Sequence, residues 1–253
     1  MSDPRTNILI SRRDLAVAVR FVDGFTGRPI RTQFSVSIPK FTGIDPRNLA
    51  SMSAKWVALW SDGDATYRFS LPNLSLVGGA AQLPTGTLDL LVTTTDGVNL
   101  YADPPIAPPR SPYAALMPLR VTIPPTAAHS PPVLASDYLV ELPLWPTAAF
   151  RVPEGETAVS GWVVSAGRKN VVGLKLKLFE PNTGPSGEPW ASTDGAGQFL
   201  YRLPNLTRPA GPNSQATLDV EMVDQASAPL TVAPATLTVP IGKPTSLVQL
   251  MVP

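Results

Sequence analysis

Apolar and polar residues alternate with a period of two through much of this chain. Leu15 to Val22 (LAVAVRFV), Gln33 to Ile38 (QFSVSI), Thr66 to Leu71 (TYRFSL) and Leu88 to Val92 (LDLLV) either alternate or run apolar over a strand's length, and each is followed by Gly, Pro or Asn chemistry. The pattern predicts strands. It returns in the second half at Val159 to Val164, Gly173 to Phe179, Gln198 to Leu203, Thr217 to Val223 and Ser246 to Val252. Lys175 and Lys177 alternate there with Leu174, Leu176 and Leu178, as in a strand with one buried and one wet face. Asp23 to Gly27 and Ser165 to Asn170 read as the turns after the first strand of each half. Only Asp45-Pro46 to Ser53 carries a helical pattern, with Asp as cap, Pro at the first helical position, and Leu49, Met52 and Trp56 spaced by three and four.

The two halves are copies of one module. Tyr67, Phe69 and Leu71-Pro72-Asn73-Leu74 fall on Phe199, Tyr201 and Leu203-Pro204-Asn205-Leu206 in one register, as Asp62-Gly63 falls on Asp194-Gly195. Upstream, Ala16-Val17 matches Ala158-Val159, and downstream Thr87-Leu88-Asp89-Leu90 matches Thr217-Leu218-Asp219-Val220. The offsets place an insert in the first copy between Pro39 and Lys55. Each copy is of ordinary domain size, and two copies are too few for a solenoid. The Leu-Pro-Asn-Leu corners have a structural reading: the aromatic run puts one face into a core, proline ends ladder bonding, asparagine turns the chain and leucine plugs the core's end.

Composition narrows the function classes. With 253 residues, 43% of them hydrophobic, and no apolar run long enough to span a bilayer, the chain reads as globular, without membrane insertion. A net charge of +1 without a basic block gives no electrostatic footprint for nucleic acid. Charged residues are 15%, against about 25% in average soluble proteins. Such a surface suits either coverage by partner subunits or a small β-sandwich that carries Thr, Ser and Asn outside in place of Lys and Glu. The absence of cysteine removes disulfides, thiolate metal sites and cysteine nucleophiles together. Ser11-Arg12-Arg13-Asp14-Leu15 superficially matches a twin-arginine export signal, but Arg20 and Asp23 interrupt the apolar stretch, so the expected location is cytoplasmic or within a cytoplasmically assembled particle.

The second copy resembles the carboxypeptidase regulatory-like, or transthyretin-like, β-sandwich. The resemblance rests on Val159-Ser-Gly161-Trp-Val163, Gly173-Leu-Lys-Leu-Lys-Leu, Thr193-Asp194-Gly195-Ala-Gly197-Gln-Phe199 and Leu203-Pro204. The first copy carries a weaker form and departs at Asp64-Ala65, where the family's second glycine is missing. The resemblance implies accessory, adhesive or assembly modules and no peptidase chemistry. Leu142 to Pro153 running into Thr157-Ala-Val-Ser-Gly161 is also similar to a junction in accessory proteins of phage-tail-like contractile particles. The expected fold is therefore all-β: two tandem Ig-like or transthyretin-like antiparallel β-sandwiches joined by a Pro-rich linker. Residues 1–136 form the first, with an insert around 41–54, and residues 137–253 form the interdomain segment and the second.

No catalytic constellation emerges. His129 is the only histidine, and no Gly-x-Ser-x-Gly elbow accompanies it. Asp62, Asp64 and Asp194 read as turn formers and not as a calcium loop. Asn73-Leu-Ser and Asn205-Leu-Thr match glycosylation sequons and read as turns. No isopeptide crosslink is expected, because Leu119 to Ile123 and Ser246 to Val252 offer no Asn or Asp. No catalytic, cofactor-binding or metal-binding residue, no cofactor and no small-molecule ligand is expected. Among the five tryptophans, Trp162 reads as core, whereas Trp56, Trp60, Trp145 and Trp190 are the candidate partner contacts. The expected function is a non-enzymatic structural component bound to other protein subunits, in a phage-tail-like or contractile injection particle. The alternative is a carbohydrate-binding or adhesion module using exposed aromatics.

Overall fold

The computed structural model describes residues 13–44, 57–61, 63–72, 85–101, 111–123, 139–185, 187, 189–206 and 214–253. All regular structure among them is strand, so the fold is all-β. In chain order the strands are β1 (Arg13–Asp23), β2 (Ser35–Ile44), β3 (Val57–Ser61), β4 (Thr66–Pro72), β5 (Thr85–Thr93), β6 (Tyr113–Ala114), β7 (Arg120–Ile123) and β8 (Leu139–Pro146). They continue with β9 (Thr157–Ser165), β10 (Lys175–Phe179), β11 (Ala191–Ser192), β12 (Gln198–Leu203), β13 (Gln215–Val223), β14 (Pro229–Leu230), β15 (Thr236–Pro240) and β16 (Pro244–Val252). The helical pattern at Asp45 to Ser53 lies outside the described residues. The chain forms two compact units. The first comprises Met1–Phe21, Ile30–Val92 and Leu119–Leu142, and the second Val22–Pro29, Thr93–Pro118 and Pro143–Pro253.

In the first unit one sheet runs β3-β4-β1-β8 and the other β2-β5-β7. Alternation sends Val17, Val19, Tyr67 and Phe69 from one sheet and Ile38, Leu88, Leu90, Val92, Val121 and Ile123 from the other into burial. Phe21 meets Phe34 and Tyr67 edge-on, with centroids 5.7 and 5.4 Å apart. The Tyr67 hydroxyl closes this core by donating to the Phe34 carbonyl at 3.0 Å and accepting the Phe34 amide at 2.5 Å. Burial pushes its pKa up to about 12.

In the second unit β12-β9-β16 faces a sheet in which β10 lies between β11 and β13, and β13 also pairs with β14 and β15. Val159, Val163, Leu176, Leu178, Phe199, Tyr201, Leu218, Met222, Val239 and Leu250 form the shared core. The last strand, β16, runs parallel to β9, and its register slips between Thr245 and Val248. There the chains approach so closely that a Cβ on Gly161 would lie 1.7 Å from the Val248 carbonyl oxygen. Leu247, at the slip, takes φ 66° and is 74% exposed.

The pairing of β1 with β4 and of β9 with β12 keeps one register in the two copies, although β3 joins β4 where its counterpart β11 joins β10. Val17 pairs with Phe69 and Val19 with Tyr67 in the first; the matching positions Val159 with Tyr201 and Gly161 with Phe199 pair in the second. β5 and β13 are likewise equivalent, each pairing with the second strand after it, β7 or β15. The second corner behaves as read: Leu203 is buried, the Leu206 amide donates to the Leu203 carbonyl at 3.1 Å, and Leu206 packs against the core. The side chain of Leu71, and all of Asn73-Leu74, lie outside the described residues. The missing glycine of the first copy does not abolish its turn. Ala65 takes φ 53°, where its counterpart Gly197 takes φ 71°.

Candidate functional site

The candidate tryptophans occupy unlike places. Trp56 lies outside the described residues. Trp60, on β3, is half-buried, its ring 4.7 Å from that of Tyr67. Trp145, on β8, lies flat against Gly24, where a Cβ would stand 2.5 Å from its ring, and receives Phe25 edge-on at 5.4 Å. Gly24 is therefore glycine because the indole occupies its side-chain space. Trp190 is half-buried with the Lys177 ammonium 4.5 Å above its ring, and that ammonium also donates to the Pro185 carbonyl at 3.1 Å. The three described tryptophans are each engaged by different neighbours. Trp162, read from sequence as core, is half-buried and stands outside the second core, because it alternates with the inward residues Gly161 and Val163.

The densest polar cluster among the described residues is one that sequence reasoning missed. Arg202 on β12 is 5% exposed. Its guanidinium donates to both carboxylate oxygens of Glu156, at 2.5 and 2.8 Å, and to Asp23 Oδ2. The Phe150 ring lies 4.6 Å from the guanidinium carbon. Asp23 also organises its own turn. Its Oδ1 accepts the amides of Phe25 and Thr26 at 3.0 Å each, while the Tyr113 hydroxyl donates to Oδ2 at 3.2 Å. Burial, and next the charge of Asp23, push the Tyr113 pKa well above its usual value. Burial alone would lower the Arg202 pKa, but the hydrogen bonds it donates to Glu156 and the charges of Asp23 and Glu156 outweigh it and raise it. The guanidinium and both carboxylates bond one another and the Asp23 turn, so the cluster holds structure.

The remaining carboxylates likewise serve turns. Asp194 Oδ1 accepts the Ala196 and Gln198 amides at 2.8 and 2.9 Å; its burial raises its pKa and those bonds oppose the rise. Asp64 accepts from the Thr66 hydroxyl at 2.6 Å and from Arg68 at 2.9 Å. The Thr66 bond, followed by contributions from Ser61 and Arg68, holds its pKa well below the usual carboxylate range. Among the described residues no group of three or more His, Asp or Glu side chains could hold a metal ion, and no helix is long and apolar enough to cross a membrane. His129 lies outside the described residues.

The sheet edges differ in how they are guarded. β2, at the edge of β2-β5-β7, carries exposed Pro39 and Lys40, and β15 ends in Pro240. β3 is another edge strand, with β4 as its one strand neighbour among the described residues. Its sequence, VALWS, has neither charge nor proline, and Leu59 is 42% exposed. Proline and lysine are the usual means of keeping an edge from pairing, and β3 has neither.

No protein-family profile matches the chain, and neither does any curated protein. Solved structures with some similarity include a DUF3823 family protein from Parabacteroides merdae, at 17% identity over 40% of this chain and 47% of that one, TM-score 0.26. The Bacillus anthracis TIE protein is similar at 12% identity over 94% of this chain and 34% of that one, TM-score 0.26. BcpA, the major pilin subunit of Bacillus cereus, is similar at 8% identity over 95% of this chain and 59% of that one, TM-score 0.25. The chain thus spans about half or less of the length of the first two and under two thirds of the third. Likenesses at these scores carry no functional argument.

Proposed function

We propose that this chain is a non-enzymatic structural component of a larger protein assembly, made in the cytoplasm and held to neighbouring subunits through strand-edge and side-chain contacts. The observation that carries the reading is β3, an uncharged, proline-free edge strand with an exposed leucine and Trp60 beside it. Such an edge offers backbone donors and acceptors to a partner strand and an apolar contact to fix its register. The use of the buried charges as mutual structural partners supports the same reading, because that arrangement holds a scaffold rigid without leaving a reactive group. In its narrower form the assembly is a phage-tail-like or contractile injection particle, supported by the resemblance of the Leu142 to Pro153 segment to junctions in accessory proteins of such particles.

Affinity purification of the tagged protein from its native cells tests the proposal. The wild type is expected to bring down defined subunits, and Leu59→Lys, an exposed charge on the edge, to lose them at least tenfold while keeping its circular dichroism spectrum. A wild type that elutes as a lone monomer overturns it. Sheath, tube or baseplate proteins among the captured subunits support the narrower form.

A further inference from the structure

Trp162 sits at the centre of a row that the register defines. It pairs with Gln198 on β12 to one side and with Gln249 on β16 to the other. Paired residues on adjacent strands point to the same side of a sheet, so the three side chains lie in line across β12-β9-β16. That side is the outer one, since the alternate residues Val159, Val163, Phe199, Tyr201 and Leu250 enter the core and Trp162 does not pack against it. Gln249 is exposed, and Gln198 and Trp162 are half-buried. The first copy confirms the direction independently. The position equivalent to Trp162 is Arg20, which pairs with Thr66 and bonds Glu141 at 3.3 Å, the carboxylate side chain being 51% exposed. Where the first copy has an ion pair at the surface, the second has an indole flanked by amides.

We propose that the Gln198–Trp162–Gln249 row is a binding site for a neutral hexopyranose unit of an uncharged polysaccharide. Three adjacent strands span about 10 Å, enough for one pyranose ring on the indole with an amide at each side. The aliphatic face of such a ring stacks on an aromatic face, while each amide offers both donors and an acceptor to ring hydroxyls. The charge of the face matches a neutral ligand. Among the outward residues of these strands the one ionised side chain is Arg202, which is buried and neutralised by Glu156 and Asp23. The outward faces of these strands supply no exposed counter-charge to a phosphate, a uronic acid or a nucleic-acid backbone. The row is built from strands other than β3 and stands independently of the assembly reading.

Isothermal titration of the purified full chain with neutral cello-, malto- and N-acetylchitooligosaccharides tests the site. At least one series is expected to bind saturably, with Trp162→Ala weakening it tenfold or more, Gln249→Ala several-fold, and a change at the exposed Met117, Met117→Ala, leaving it unchanged. Trp162→Phe should keep part of the affinity and serves if the alanine variant fails to fold. Absence of binding by all three series at millimolar concentration overturns the proposal. So does binding that is indifferent to Trp162→Ala and Gln249→Ala, or self-association of the chain that Trp162→Ala abolishes.

Discussion

Replacing Arg202 by methionine should destabilise the second unit more than almost any single surface or turn substitution. The guanidinium is 5% exposed and makes three charge-assisted hydrogen bonds, two to Glu156 and one to Asp23, whose side chains are themselves 13% and 6% exposed. Methionine fills much of the space but leaves two buried carboxylates without a counter-charge. Breaking a buried ion pair by removing one partner costs about 3–5 kcal/mol, because the orphaned charge keeps its desolvation penalty. The Asp23 turn suffers indirectly, since the carboxylate that accepts the Phe25 and Thr26 amides is the one left unbalanced. Arg202→Lys keeps the charge but loses the fork that matches Glu156, and should cost about 1–3 kcal/mol. The triple variant Asp23→Asn, Glu156→Gln, Arg202→Met removes all three charges together and should recover to within about 2 kcal/mol of the wild type. Guanidinium unfolding at pH 7, followed by tryptophan fluorescence, measures each. A cost below about 1 kcal/mol for Arg202→Met, or a triple variant no better than the single one, refutes the reasoning that the cluster is a buried, charge-balanced lock.

Three further outcomes follow from particular contacts. Gly161→Ala places a methyl group where the Val248 carbonyl oxygen lies 1.7 Å away, and should cost about 3 kcal/mol or more, or abolish soluble expression; a wild-type melting curve contradicts the close approach of β9 and β16. Gly197→Ala adds a left-handed penalty to a Cβ 2.9 Å from Asn170 Cβ and should cost about 2 kcal/mol or more, whereas Ala65→Gly relieves the same penalty in the first copy and loses only a buried methyl, so that its stability in urea should change by less than about 1 kcal/mol. Tyr67 favours the protonated phenol when folded, so its contribution is full below pH 10 and is lost as pH rises toward about 12; the corresponding fall in stability in alkaline unfolding titrations should be largely absent in Tyr67→Phe.

The sequence alone determined the strand content and the repeat. Period-two alternation is local, and the duplicated corner at Leu71-Pro72 and Leu203-Pro204 marks which strands correspond, so β4 and β12 are legible as equivalents in the pattern itself. It also located the turns at Asp23 and Ser165, because Asp, Gly and Asn act on their immediate neighbours. The short strands β3, β6, β11 and β14 were not legible, since two to five residues give too little alternation to count. Ala65 departed from the expected glycine, yet the surrounding ladder holds it in the left-handed region, a constraint that no local pattern records. Tertiary structure alone decided what the isolated charged and aromatic residues do. Arg202 finds Asp23 across a separation of 179 positions, and nothing in either neighbourhood announces the pairing. Trp162 looked like core because it is aromatic in an apolar strand, but strand phase is set by which neighbours pair with it, and Gly161, Val163 and the register with Gln198 and Gln249 turn it outward. Alternation gives two faces to every strand; only the packing of the second sheet says which of them is inside.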